Sequence, residues 1–267
     1  MRGASPVSAI ALGIAATFAM ASTAPAHAAT SQHSIQVGSR CQQDFQNNWQ
    51  ADAGLGNNDM WARCSGFQSA AATTEVNAFY YNLHGARWAL EDPDTCGWGC
   101  GNADSVDLFY MSTHGGITST SAIWAMWDQG SFAYTQNMRL GATSRQNMVL
   151  ASFACDTHWI DDSTWTRWYP VFAGGMVMTV GGHDLLYQGN PQTGSDFANR
   201  MNNGETIGQS WLESAWYADN RNAPAVIATG RNSTDCWNRQ GVSYNTLFPT
   251  PILRDSAIGY MCWSTWN

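Results

Sequence analysis

Two residues in this chain combine a reactive side chain with a position that presents it. His114 follows the run Val106-Asp107-Leu108-Phe109-Tyr110-Met111-Ser112-Thr113 and is itself followed by Gly115-Gly116. Forty-one positions later, Cys155 closes the run MVLASFA at 148–154. An imidazole takes and returns protons near neutral pH, and a thiol becomes a strong nucleophile once a base takes its proton. In open α/β sheets, ligands bind outside the carboxyl ends of the strands. A histidine and a cysteine that end two neighbouring parallel strands would therefore stand together at that edge. The pattern predicts a Cys/His hydrolase.

The elements that must position this pair are legible as periodicity. Runs 106–112 and 148–154 are nearly all apolar, as strands covered on both faces are. Run 75–83 (EVNAFYYNL) reads as a preceding strand, 174–181 (GGMVMTVG) as a following one, and 223–229 (APAVIAT) as another. Between the last two, 195–217 has helical spacing of Phe197, Met201, Ile207, Trp211, Leu212 and Ala215, with a break at Asn203-Gly204. Strands alternating with helices predict one α/β domain with a parallel or mostly parallel sheet and helices on both faces. Segment 91–105 (EDPDTCGWGCGNADS) reads as a loop, and 29–74 as a polar, loop-like N-terminal extension tied by disulfides.

The first residues read as an address. Arg2 gives a positive start, 9–20 an apolar stretch too short to span a bilayer, and Ala26-His27-Ala28 a cleavage site, so 1–28 is expected to be a secretory signal peptide. Export agrees with seven cysteines, an odd count that leaves one thiol over. Six of them lie in Gly-, Asn- and Trp-rich segments. Pairing near neighbours gives 41–64, 96–100 and 236–262, one of fifteen possible connectivities, with Cys155 free. A net charge of −8, with arginine the only strongly basic residue type, argues against nucleic acid and anionic membranes as partners. A secreted location and a peptide or protein substrate are expected instead.

A hydrophobic strand ending in His-Gly, followed by a second ending in Ala-Cys, resembles the caspase-like cysteine peptidases, a clan that includes caspases, metacaspases, legumains, clostripain and gingipains. The matching residues are Leu108-Phe109-Tyr110-Met111 before His114-Gly115, and Val149-Leu150-Ala151 before Ala154-Cys155. Downstream, 172–181 is similar to the strand after the nucleophile, and 203–211 to the helix that follows it. The resemblance implies a caspase-like three-layer sandwich over 75–267, with a disulfide-tied C-terminal segment. It also implies attack by Cys155 on a peptide carbonyl, protonation of the leaving amine by His114, and an oxyanion site at the amides of Gly115 and Cys155. Asp156-Thr157 replaces the Arg-Gly of caspases and the acidic-Ser-Gly of legumains. Specificity is therefore left open at the pocket expected from Asp156, Thr157, His158 and His183.

The same residues admit other readings. His84-Gly85 offers a second base, although seventy-one positions to Cys155 fit the clan pattern poorly. Asp156, His158, His183 and Asp184 supply oxygen and imidazole donors for a metal-dependent hydrolase, without an H-x-x-x-H or H-E-x-x-H spacing. No cofactor is required by the dyad, while Glu91, Asp92, Asp94, Asp104 and Asp107 offer carboxylates for calcium. Trp124, Trp127, Trp159, Trp165 and Trp168 either wall a cleft or fill the core. An inactive relative, or a secreted binding protein that uses exposed tryptophans on glycan or cell wall, is the alternative to an enzyme.

Overall fold

Both apolar runs fold as strands whose every residue is buried, Leu108–Ser112 (β2) and Val149–Phe153 (β6). They lie side by side and parallel, with Leu108 opposite Val149 and Ser112 opposite Phe153. The computed structural model describes residues 35–41, 57–71, 87–91, 103–126, 132–141, 148–187, 190–247 and 250–267. Expectations that fall elsewhere, among them the signal peptide, the strand at 75–83, His84, Trp127 and the 96–100 disulfide, lie outside the described residues.

Around this pair the chain builds a six-stranded sheet. In chain order the further elements are β1 (Val37–Cys41), α1 (Asn57–Ala71), α2 (Trp88–Glu91), β3 (Gly115–Ile117), β4 (Ala122–Ala125) and β5 (Phe132–Tyr134). After β6 come α3 (Thr164–Phe172), β7 (Met178–Gly182), α4 (Thr193–Asn202), α5 (Ile207–Ala218), β8 (Pro224–Gly230), α6 (Ser233–Gln240), α7 (Tyr244–Leu247) and β9 (Tyr260–Thr265). The sheet order is β1-β2-β6-β7-β8-β9, and β3-β4-β5 form a separate small sheet. In the six-stranded sheet β1, β2, β6 and β7 run parallel, and the pairings β7–β8 and β8–β9 are antiparallel.

Alternation along each strand divides the core in two. Leu108, Tyr110, Val149, Ala151, Phe153, Val180 and Val226 pack with Phe67 of α1, Phe197 of α4 and Trp211 of α5 on one face. Phe109, Met111, Leu150 and Ile227 pack on the other with Trp124 of β4 and with Trp168, Val171 and Phe172 of α3. The result is a three-layer α/β sandwich with a mainly parallel sheet, as the strand-helix alternation predicts. The break foreseen at Asn203-Gly204 separates α4 from α5. Gly204 takes φ +91°, a left-handed conformation that glycine adopts without a Cβ penalty. Beyond it the Thr206 side chain accepts from the Gln209 N–H to cap α5.

Segment 29–74 departs from its reading as a loop-like extension. It supplies β1, a full edge strand of the main sheet, and α1, whose Phe67 stacks on Tyr110 of β2 at 4.6 Å. The segment was hidden because VGSRC has no apolar run. Backbone pairing to β2 makes it a strand, and its polar side chains are served locally, Gln68 Nε2 donating to Ser39 Oγ at 2.8 Å. The disulfides Cys41–Cys64 and Cys236–Cys262 form as the neighbour pairing anticipates, joining β1 to α1 and α6 to β9. Cys155 is a free cysteine. Among the described residues no helix is long and apolar enough to cross a membrane.

Candidate active site at the carboxyl edge of β2 and β6

The ladder between β2 and β6 continues past their assigned ends. Thr113 N–H donates to the Phe153 carbonyl at 3.2 Å, so the next residues in register are His114 and Cys155. Both are half-exposed at a rim whose floor, from 108 to 113 and from 149 to 154, is buried. His114 is also tied to the small sheet, its carbonyl accepting from Ala125 N–H at 2.9 Å, while Thr113 Oγ1 donates to the Ala125 carbonyl at 2.6 Å. β4 is anchored in turn by Trp124, whose Nε1 donates to Ser152 Oγ at 2.7 Å and whose ring meets Trp168 edge-on.

Gly115 bears directly on the cysteine. A Cβ at this position would collide with the Cys155 carbonyl oxygen and with Thr157 Cγ2. Only glycine lets the strand leaving His114 pass this close to the turn that carries Cys155. That turn is held in an unusual shape, with Asp156 at φ +56°. Its amides are pinned from β7 and beyond, Asp156 N–H to Asp184 O at 3.1 Å and His158 N–H to Gly182 O at 2.8 Å.

His158 is fully buried and spans two hydroxyls. Thr179 Oγ1 donates its proton to the Leu150 carbonyl at 3.0 Å, so it accepts from His158 Nε2–H at 2.9 Å. Nδ1 is left as an acceptor, 2.9 Å from Thr157 Oγ1. The ring lies on Gly181, where a Cβ would collide with it, and beside Trp168 at 4.6 Å. Burial, with His183 adding to it, pushes the His158 pKa down to about 3, so the ring stays neutral.

The four residues expected to line a substrate pocket therefore separate. Thr157 and His158 have no exposed surface and brace the Cys155 turn from beneath, which corrects their assignment to a pocket wall. Asp156 and His183 remain at the rim, the His183 ring stacked on Trp159 at 5.1 Å and its Nδ1 accepting from Ile160 N–H at 3.0 Å. The tryptophans divide as well. Trp124 and Trp168 are core, and Trp165 is 41% exposed on α3.

Resting electrostatics favour two neutral groups. Burial raises the Cys155 thiol above its ordinary range, and the carboxylates of Asp156 and Asp184 push the same way. The Leu186 N–H, 3.4 Å from Sγ, opposes this, and Sγ is 3.7 Å from the Leu186 carbonyl. Burial lowers His114, so its imidazole is uncharged at neutral pH. Asp156 is raised by burial and by Asp184, with His183 opposing.

The metal readings find no geometry. Among the described residues no three His, Cys, Asp or Glu side chains converge as an ion would require. At the edge itself, His158 spends both ring nitrogens on threonines, which removes it from an Asp156/His158/His183 site. The acidic-loop carboxylates are engaged apart from one another: Glu91 accepts from Tyr134 N–H, Asp104 from Gly141 N–H and Asp107 from Gln36 N–H. Asp92 and Asp94 lie outside the described residues.

Sequence reasoning missed β1, β9, the β3-β4-β5 sheet and Leu186 as a neighbour of the thiol. Strands of three or four residues leave no periodic signal, and Leu186 contributes through its peptide group, which its side chain does not advertise.

No curated protein matches the sequence. Among solved structures the fold is similar to the Drosophila initiator caspase Dronc, with 13% identity, a TM-score of 0.39, and coverage of 74% of this chain and 81% of that one. A family model described as a domain of unknown function, DUF6345, matches residues 39–251, and the chain belongs to that family.

Proposed function

We propose that this protein is a secreted cysteine hydrolase of peptide bonds, related to the caspase-like peptidases, with Cys155 as nucleophile and His114 as its base. The observation that carries this reading is the extended register of β2 and β6, which brings the two residues abreast at a partly open strand edge. Both start neutral. As a substrate carbonyl closes on Sγ, His114 takes the thiol proton, the S–C bond forms, and the carbonyl π electrons move onto oxygen. The amides of Gly115 and Cys155 receive that oxyanion. Collapse expels the amine, which takes the proton back from His114, and water then releases the acid from the thioester.

Secretion is supported by the two disulfides, which fit an oxidising compartment. The alternative of a tryptophan-lined binding platform has less support. Exposed Trp165 is carried by α3 and exposed Trp237 by α6, helices packed on opposite faces of the sheet. A fluorogenic peptide library tests the enzymatic reading: turnover is expected from the native protein and lost in Cys155→Ala. Undiminished turnover in Cys155→Ala would overturn it.

A further inference from the structure

Thr157 stands where the turn after β6 meets the strand leaving His114. Its side chain is fully buried, and it carries two branches with different neighbours. The methyl group packs on the Gly115 backbone, where a Cβ would overlap Thr157 Cγ2. The hydroxyl donates to the Ala154 carbonyl at 3.2 Å, and that carbonyl shares a peptide unit with the Cys155 N–H. Among the described residues the Ala154 carbonyl accepts no other hydrogen bond, and the Cys155 N–H donates to no backbone carbonyl. The same carbonyl is seated from β7, against Gly182, where a Cβ would reach its oxygen. Thr157 Oγ1 has a second neighbour in His158 Nδ1 at 2.9 Å, so its one proton lies between two acceptors. Thr179 and Gly181 of β7 hold that ring in place. A β-branched side chain has little χ1 freedom. With methyl and hydroxyl on one Cβ, covalent geometry sets the spacing of the two contacts.

We propose that Thr157 is a positioning residue that aims both oxyanion amides, the Cys155 N–H through the Ala154 carbonyl and the Gly115 N–H through its methyl group. This rests on the hydrolase reading above and adds to it the part that registers the two donors. A peptide unit is planar, so a bond that fixes its C=O end also fixes the direction of the N–H at the other end. The bond to the Ala154 carbonyl strengthens that N–H as well, because hydrogen bonds in a chain polarise one another. Thr157 touches no reacting atom. Its effect is confined to the step in which charge develops on the substrate oxygen.

The test separates charge on oxygen from reactivity at sulfur. The probe for the first is a peptide aldehyde of a sequence that the native protein turns over. Its C=O takes up the Cys155 S–H to form a hemithioacetal, whose oxygen occupies the donor site. Iodoacetamide probes the second, since it alkylates the sulfur by displacing iodide and builds no oxyanion. Thr157→Val deletes the hydroxyl and keeps a methyl group, and Thr157→Ser does the reverse. In Thr157→Val, kcat and aldehyde affinity are expected to fall together by about 10–10²-fold, short of the 10²–10³-fold of a deleted donor. KM and the iodoacetamide rate should stay at native values. Thr157→Ser should lose about 3–10-fold in kcat and aldehyde affinity, the size of one neutral hydrogen bond. Native aldehyde affinity in either variant would overturn the proposal, as would an iodoacetamide rate that falls in step with it. If circular dichroism shows Thr157→Val unfolded, Thr157→Ser decides by the same criterion. A native protein that neither turns over any peptide nor binds any peptide aldehyde ends the hydrolase reading and this proposal with it. Native turnover left intact by both substitutions ends this proposal alone.

Discussion

Thr113 N–H donates to the Phe153 carbonyl at 3.2 Å, one step beyond the last paired residues of β2 and β6. That bond converts two separate sequence motifs into a single edge. Without it the strands would be free to diverge after Ser112 and Phe153, and His114 would have no fixed relation to Cys155. Its donor is held in turn by Thr113 Oγ1 on the Ala125 carbonyl, so His114 is located from the main sheet and the small sheet together.

Gly115→Ala should be far more damaging to turnover than to stability. The new Cβ meets the Cys155 carbonyl oxygen, so either the His114 loop or the Cys155 turn must retreat. Overpacking of this kind costs roughly 1–3 kcal/mol of stability, whereas loss of one oxyanion donor lowers kcat by about 10²–10³-fold. Thermal melting and peptide turnover, measured together, check this. Near-native turnover would remove Gly115 from the oxyanion site.

The resting pair should titrate as two neutral groups. Because burial and the two carboxylates raise the thiol, alkylation of Cys155 by iodoacetamide should climb with pH through and above the ordinary cysteine range. Because burial lowers His114, base-dependent turnover should be retained somewhat below the ordinary histidine pKa. An alkylation rate that is already flat by about pH 6, below the usual thiol range, would mean a preformed thiolate–imidazolium pair and contradict this account.

Most of the central architecture was legible because β2, β6, β7 and β8 are wholly buried and therefore nearly continuous apolar runs. The α4–α5 break was legible too, since Asn203-Gly204 interrupts a helical period. β1 was illegible for the opposite reason: Arg40 and Ser39 are buried by their neighbours' packing and hydrogen bonding, which sequence does not display. At the site, His114 and Cys155 could be named because they follow the ends of apolar runs, and Gly115 because it directly follows His114. The bracing role of His158 could not, since it depends on Thr179 and Gly181 of β7 reaching across to the turn after β6.

His158 makes stability depend on pH. Its folded pKa of about 3 lies well below the value of about 6.5 for an unfolded histidine. Between those limits the unfolded chain binds the extra proton, so this contribution to stability is complete above pH ~6.5 and drains away as pH falls toward about 3. Denaturant melts of His158→Gln should show a loss of about 2 kcal/mol or more at neutral pH from the broken Thr157 and Thr179 contacts, with a shallower pH slope than the native protein. An unchanged slope would mean that some other group governs acid sensitivity.

The most direct test of the pairing is the rate at which a thiol-reactive peptidyl inhibitor labels Cys155, compared between the native protein and His114→Ala. A general base of matched pKa contributes about 10²–10⁴-fold, and a fall of that size, with the label mapped to Cys155 by mass spectrometry, is the predicted result. Labelling of Cys155 at the native rate in His114→Ala would contradict the account.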